Sequence, residues 1–321
     1  MQIIDKIKEV PPKILVIGDI MLDRFIFGNV HRISPEAPVP IVQSMEEKYS
    51  LGGCGNVLRN LINLGVRASI ISLIGLDQAG KKIKEDLKQK GIMARNIVGS
   101  KSIRTTEKMR IVAEGQQLVR VDWDANKLTK QNLNQVLEQV SKKIMGVDGV
   151  IISDYDKGVC TELVLKEIIN KAKELHIPVF VDPKGKKWNK YYGASIITPN
   201  LKEAEDILGK LLKSDSDIEK AGMEICNDLG LDACLITRGP NGMSYISKDV
   251  KFHIKSEAKE IYDVSGAGDT VIASFATATL AGFDSESVTR FANKAAGIVV
   301  GHIGTTAIRV SELLEGEDSN R

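Results

Sequence analysis

Short apolar runs alternate with amphipathic stretches along most of the chain. Ile14-Leu15-Val16-Ile17 reads as a buried strand that stops at Gly18-Asp19. Residues 68–74, 149–152, 178–181, 195–198 and 233–236 repeat that pattern. Between them, 56–64, 78–90, 130–145, 162–175 and 218–229 carry apolar residues at helical spacing, and 271–280 forms a late helix-like run. Strands that are apolar on both faces must be covered on both faces. The pattern therefore predicts an α/β fold, doubly wound, with a mostly parallel central sheet and helices on either side.

Two stretches, 24–46 and 103–122, break this rhythm. They alternate like β-strands with no helix between, and predict a small antiparallel sheet inserted in one domain spanning 1–321. A lid over the carboxyl edge of the main sheet would suit them, because open α/β sheets bind ligands there. Gly18-Asp19, Ser153-Asp154, Asp182-Pro183-Lys184, Thr198-Pro199-Asn200 and Thr237-Arg238-Gly239 all end predicted strands. Five polar strand ends converging on one crevice predict a binding site.

The densest chemistry lies at Asp263-Val264-Ser265-Gly266-Ala267-Gly268-Asp269-Thr270, just before the late helix. A helix start presents unpaired N–H groups and the positive end of a dipole, and so attracts anions. Gly266, Ala267 and Gly268 leave room for a phosphoryl group. Asp269 in the first turn could take a proton from an attacking hydroxyl. A glycine turn followed by a helix with a dipole-matching acid is the plainer alternative. The spacing is not that of a dinucleotide loop, since Val271 stands where a third glycine belongs, nor that of a Walker loop, since no Gly-Lys-Ser/Thr follows.

Composition narrows the classes. The chain has 321 residues, 43% of them apolar, enough for a large core. Its 44 basic and 42 acidic residues leave a net charge of +2, so neither a nucleic-acid nor a membrane surface is indicated. The four cysteines show no paired spacing and the four histidines no ligand cluster. A reduced, cytoplasmic protein without a zinc site is expected. The first 13 residues are too charged for a signal peptide, and no apolar run reaches spanning length.

Gly52-Gly53-Cys54-Gly55-Asn56, Asn200-Leu201-Lys202-Glu203 and Asp263 to Asp269 together resemble the motifs of the ribokinase-like (PfkB) carbohydrate kinases. The resemblance runs from about Ile14 to Val310. Gly18 to Arg24, Arg32 to Pro40, Ser153 to Gly158, Val181 to Gly185 and Thr198 to Leu201 are similar to the branch acting on D-glycero-β-D-manno-heptose 7-phosphate. Cys54, Gly55 and Ser265 depart from the usual residues without removing a reactive group. The resemblance implies ATP and Mg²⁺, transfer to the anomeric hydroxyl giving the 1,7-bisphosphate, and a place in activated-heptose synthesis for lipopolysaccharide. It also implies a stand-alone kinase rather than one half of a bifunctional chain, and a homodimer paired through the lid.

Under that resemblance Asp269 is the general base, and Gly266, Ala267 and Gly268 supply N–H donors. Asp19, Gly52, Gly53 and Asn56 contact sugar hydroxyls, the glycines by letting sugar approach the backbone. Glu203 with Asn200 orients Mg²⁺. Asn200, Thr237, Arg238, Gly239, Gly242 and Asn293 face the nucleotide. A sugar phosphate also needs a basic subsite. Its candidates are Arg104, Lys108, Arg110, Lys157, Lys184 and Lys186, with Lys157 and Lys184 foremost because both follow strand ends. Three alternatives stand beside this reading: another sugar or nucleoside kinase of the same fold, a non-catalytic sugar-binding regulator, and, less favoured, a nicotinamide dehydrogenase.

Overall fold

The computed structural model describes residues 2–92, 94–125, 128–258, 260–302 and 304–315. In chain order the elements begin α1 (Gln2–Glu9), β1 (Lys13–Gly18), β2 (Ile20–Ile33), β3 (Pro40–Gly53), α2 (Cys54–Asn63), β4 (Arg67–Gly75) and α3 (Gln78–Gln89). Next come β5 (Ile97–Ser100), β6 (Glu107–Ala113), β7 (Gln116–Trp123), α4 (Lys130–Lys143), β8 (Gly149–Ser153), α5 (Glu162–Glu174), β9 (Val179–Asp182) and β10 (Ile196–Ile197). The chain continues through α6 (Leu201–Leu208), α7 (Asp215–Leu229), β11 (Ala233–Thr237), β12 (Met243–Ser247) and β13 (Lys251–Ile254). Helices α8 (Ala267–Leu280), α9 (Ser285–Val299) and α10 (Val310–Glu315) follow.

The large sheet runs β13-β12-β11-β10-β9-β8-β1-β4-β5. Its pairings from β5 to β11 are parallel, and β12 and β13 add an antiparallel edge. Strand β1 shows why its run had to be continuously apolar. Ile14 and Val16 face a core shared with α2, α8 and α9, while Leu15 and Ile17 face a second core under α4, α5 and α7. All four are fully buried.

The small sheet has the order β3-β2-β6-β7. β2 pairs antiparallel with β3 and parallel with β6, and β6 pairs antiparallel with β7. β2 leaves the large sheet one residue after β1, and β3 runs straight into α2. The small sheet is thereby held at the carboxyl edge, where β1, β8, β9, β10 and β11 all end. Asn200 bridges to Thr237 at that edge. Among the described residues no helix is long and apolar enough to cross a membrane.

Candidate active site

Asp269 lies in the first turn of α8, after Gly266 at the helix cap with φ 82°. That backbone region admits glycine readily and side chains rarely. A β-carbon at Gly268 would meet nothing within 4 Å, so this face of the helix start is open. The Asp269 side chain itself is buried, 2% exposed. Its Oδ2 accepts a hydrogen bond from Asn56 Nδ2 at 2.9 Å, and its Oδ1 accepts one from the Tyr155 hydroxyl at 2.8 Å. Burial pushes its carboxyl up to about 6, against the pull of those two bonds; Asp23 pushes it further up and Lys108 draws it down. A carboxylate poised there is ionised at neutral pH yet basic enough to accept a proton.

Asn56 sits in the first turn of α2, fully buried, and its Oδ1 has no partner. An orphaned buried acceptor beside the base suits a ligand hydroxyl. The two glycines before α2 leave no room for a side chain. A β-carbon at Gly52 would collide with the Asp23 carboxylate and Met21, and one at Gly53 with the Asp19 carbonyl. Gly53 also has φ 59°. At both positions the glycine lets the protein pack closely against itself.

Asp19 accepts through Oδ2 from the Tyr155 and Lys157 backbone N–H groups at 3.0 and 3.1 Å, and through Oδ1 from Val159 N–H at 2.9 Å. Its buried carboxylate anchors the loop after β8. Burial and the charge of Asp154 raise its carboxyl to about 6. Asp154, Asp19 and Cys160 lie close enough to suggest a metal cluster. The Asp19 oxygens are filled by the loop, however, and Asp154 pairs with Lys190 and accepts from the Tyr191 hydroxyl.

The basic candidates separate. Lys157 pairs with Asp124 at 2.6 Å and Lys184 with Glu203 at 2.7 Å. The Arg104 guanidinium stacks over Trp123 at 4.9 Å and lines a cavity of about 740 Å³ with Arg24, Tyr49 and Lys82. Trp123 pairs with Glu107 in the small sheet, so that cavity lies on the pleat face opposite Lys108. Lys186 lines a separate cavity of about 810 Å³ beside Trp188. Lys108 and Arg110 instead share the pleat face of Asp23. Arg110 Nη1 meets Asp23 Oδ1 at 2.7 Å in a largely buried pair. Lys108 stands 5.9 Å over the Tyr155 ring and has no carboxylate partner among the described residues; burial lowers its ammonium pKa. Lys157, Lys184 and Arg110 are thus each paired with a carboxylate, whereas Lys108 is not among the described residues.

Asn200 and Glu203 form a capping box on α6: Asn200 Oδ1 accepts from Glu203 N–H at 2.9 Å, and Glu203 Oε2 from Asn200 N–H at 3.0 Å. Asp182, at the end of β9, feels Glu203 on one side and Asp269 on the other. Burial and these two charges hold its carboxyl well above the usual range. An under-compensated carboxylate such as Asp182 suits a divalent cation. Further along the edge, Gly239 has open space around it, while Gly242 has none. Arg238 pairs with Asp215 at 2.8 Å, and its buried Nε has no partner. The Asn293 amide donates to the Lys255 carbonyl at 2.8 Å, so it secures the 255 backbone.

Sequence reasoning passed over Asp23 and Tyr155. Both stand inside stretches already singled out, Gly18 to Arg24 and Ser153 to Gly158. The available signal was the two-residue alternation of β2, which puts Asp23 on one face with Phe25.

The pfkB family carbohydrate kinase model matches residues 11–312. The chain belongs to this family. It is accordingly a sugar kinase, and the family implies use of ATP. The bifunctional protein HldE of a Nitratiruptor species is 40% identical over 314 residues, which cover 97% of this chain and 66% of that protein. HldE of Vibrio parahaemolyticus serotype O3:K6 is 40% identical over 303 residues, covering 94% of this chain and 63% of that protein. The chain thus spans just under two thirds of the length of these relatives. Escherichia coli phosphofructokinase-2 in complex with potassium superposes with a TM-score of 0.80 at 21% identity, over 95% of this chain and 97% of that one. Arabidopsis thaliana ribokinase complexed with ribose and ATP gives 0.74 at 20%, over 95% and 98%. At these identities the two structures establish the ribokinase-like fold of this pfkB kinase.

Proposed function

We propose that the chain transfers the γ-phosphoryl group of ATP to the anomeric hydroxyl of D-glycero-D-manno-heptose 7-phosphate. The observation that carries this reading is the arrangement around Asp269. A poised carboxylate at an open helix start faces a sheet whose only inward cations among the described residues of that strand, Lys108 and Arg110, suit a phosphate at the far end of the sugar. The heptose assignment rests on the motif resemblance and on the 40% identity to HldE proteins.

Asp269 takes the proton of the attacking hydroxyl. The N–H groups of Gly266, Ala267 and Gly268 stabilise charge on the transferred group. Asn56 Oδ1 and Asp23 receive sugar hydroxyls, and Thr237, Arg238 and Gly239 border the nucleotide. Asp182 and Glu203 would hold Mg²⁺, largely through water; when bound, the ion offsets charge on the phosphates. The small sheet closes over the sugar and excludes water. Its exposed Ile33, Val39, Met45, Leu118 and Val119 are covered by a second copy of the chain.

The test is ADP release with Mg-ATP and a panel of heptose 7-phosphate, fructose 6-phosphate, ribose, fructose and adenosine. Turnover confined to heptose 7-phosphate is expected, with loss in Asp269→Asn. Turnover with a phosphate-free sugar overturns the substrate and leaves Lys108 without its role.

A further inference from the structure

Tyr155 has no part in the transfer described so far, yet its hydroxyl points at the reacting carboxylate. It lies on the loop after β8, and Asn56 lies on α2. These two donors come from separate elements and each takes a different oxygen of Asp269, at 2.8 and 2.9 Å. Each oxygen keeps a second lone pair for a substrate hydroxyl. Two donors on separate elements fix both the position and the plane of the carboxylate, which one donor alone would leave free to turn.

The loop that carries Tyr155 is itself locked. Asp19 accepts three of its backbone N–H groups, those of Tyr155, Lys157 and Val159. A buried carboxylate spent on holding this loop is costly unless the loop must be held. On the other side, Lys108 reaches from the small sheet to 5.9 Å over the Tyr155 ring. The Tyr155 backbone is thus held by Asp19, and its ring is faced by Lys108 of a lid strand.

We propose that Tyr155 is a positioning residue for phosphoryl transfer: it orients the Asp269 carboxylate and favours its ionised form, and Asp19 acts through it. This rests on Asp269 being the base. Burial and the Asp269 charge push the Tyr155 phenol far up, so it stays a donor throughout the working range. The other titratable or charged groups facing Asp269 are Asp23 from β2, Cys54 and Arg59 from α2, Lys108 from β6 and Asp182 from β9. Removing the phenol hydroxyl leaves all of these in place.

The experiment follows the Asp269 carboxyl directly, by ¹³C NMR of protein labelled at aspartate carboxyls, with Asp269→Asn identifying the resonance. In parallel, kcat/KM is measured against pH with heptose 7-phosphate. Tyr155→Phe moves the midpoint, and the acid limb with it, upward by about one pH unit, the usual strength of a hydrogen bond to a charged group. kcat falls below the limb and recovers above it, while KM changes little. A site-specific 3-fluorotyrosine at 155, a stronger donor, moves the midpoint down and keeps the proposal testable should Tyr155→Phe fold poorly. An unmoved midpoint in a variant of unchanged melting temperature overturns the role of Tyr155 alone. Full turnover by Asp269→Asn overturns the base, and with it any catalytic meaning for a shift seen by NMR.

Discussion

Two helices of this kinase start from glycine-rich turns, and they use their glycines for opposite purposes. At the start of α2, Gly52 and Gly53 press against Asp23, Met21 and the Asp19 backbone, with no space to spare. At the start of α8, Gly266 makes the turn, and Gly268 faces open space. The first turn is closed by the protein itself and holds the Asp23 carboxylate in place. The second is left open, beside the proposed base Asp269. A glycine signature alone therefore does not say whether a ligand approaches; what a β-carbon would meet does.

The sharpest way to break the comparison is to remove the base from the open turn. Asp269→Asn is expected to lower kcat by about 10²–10⁴, the usual worth of a positioned general base. A steady-state assay that finds kcat within about threefold of the parent would place the chemistry elsewhere.

The next effect is on stability, and it separates the two turns. Gly52→Ala drives a methyl group into a buried carboxylate, and is expected to cost about 3 kcal/mol by overpacking. Gly268→Ala has room for its methyl within a helix. It should leave stability unchanged or raise it by up to about 1 kcal/mol, while turnover falls because the methyl stands where the phosphoryl group passes. Urea unfolding and kcat of both variants decide the matter: equal losses of stability would mean that both turns are closed.

How much of this could be read beforehand follows the same division. The strands of the large sheet were legible because burial on both faces forces long apolar runs, and β1, β4, β8, β9 and β11 fall where those runs are. The edge strands β5, β12 and β13 were not, because one-sided strands such as Lys251–Ile254 carry little apolar signal. Asp269 was legible from a local pattern: helix start, glycines, acid. Asp23 and Tyr155 were not, because their meaning arises from partners 87 and 114 residues away, Arg110 and Asp269. Lys157 and Lys184 show the converse limit. A strand-end position says where a side chain starts, and Asp124 and Glu203 then take it.

A smaller effect sharpens the substrate side of the comparison. Lys108 faces the closed turn's carboxylate without an ion partner among the described residues. Lys108→Met is expected to raise KM for the sugar phosphate about 10-fold, as for the loss of one charge-assisted bond. Arg110→Met would be a poorer probe, since it strands Asp23 in a buried site. A KM that does not move would give the phosphate to other groups.

The smallest expected effect concerns what the open turn costs the fold. Asp269 titrates near 6 in the folded protein and near 3.8 when unfolded. Between those values the folded state binds more protons than the unfolded one, so this group's contribution makes the protein less stable as pH rises from about 4 to 6. Above about pH 6 the full cost of a buried charge is present. Asp269→Asn removes that charge. The new side chain can still accept from Asn56, while the Tyr155 hydroxyl can turn to accept from the amide. The variant that loses most of its activity should therefore be more stable than its parent by about 1–2 kcal/mol at about pH 7.5. The gain should vanish about one unit below pH 4, where both states of the parent carry a largely protonated carboxyl. Chemical denaturation at the two pH values tests the sign. A variant less stable than its parent at the higher pH would mean that the bonds from Asn56 and Tyr155 outweigh the burial of the charge.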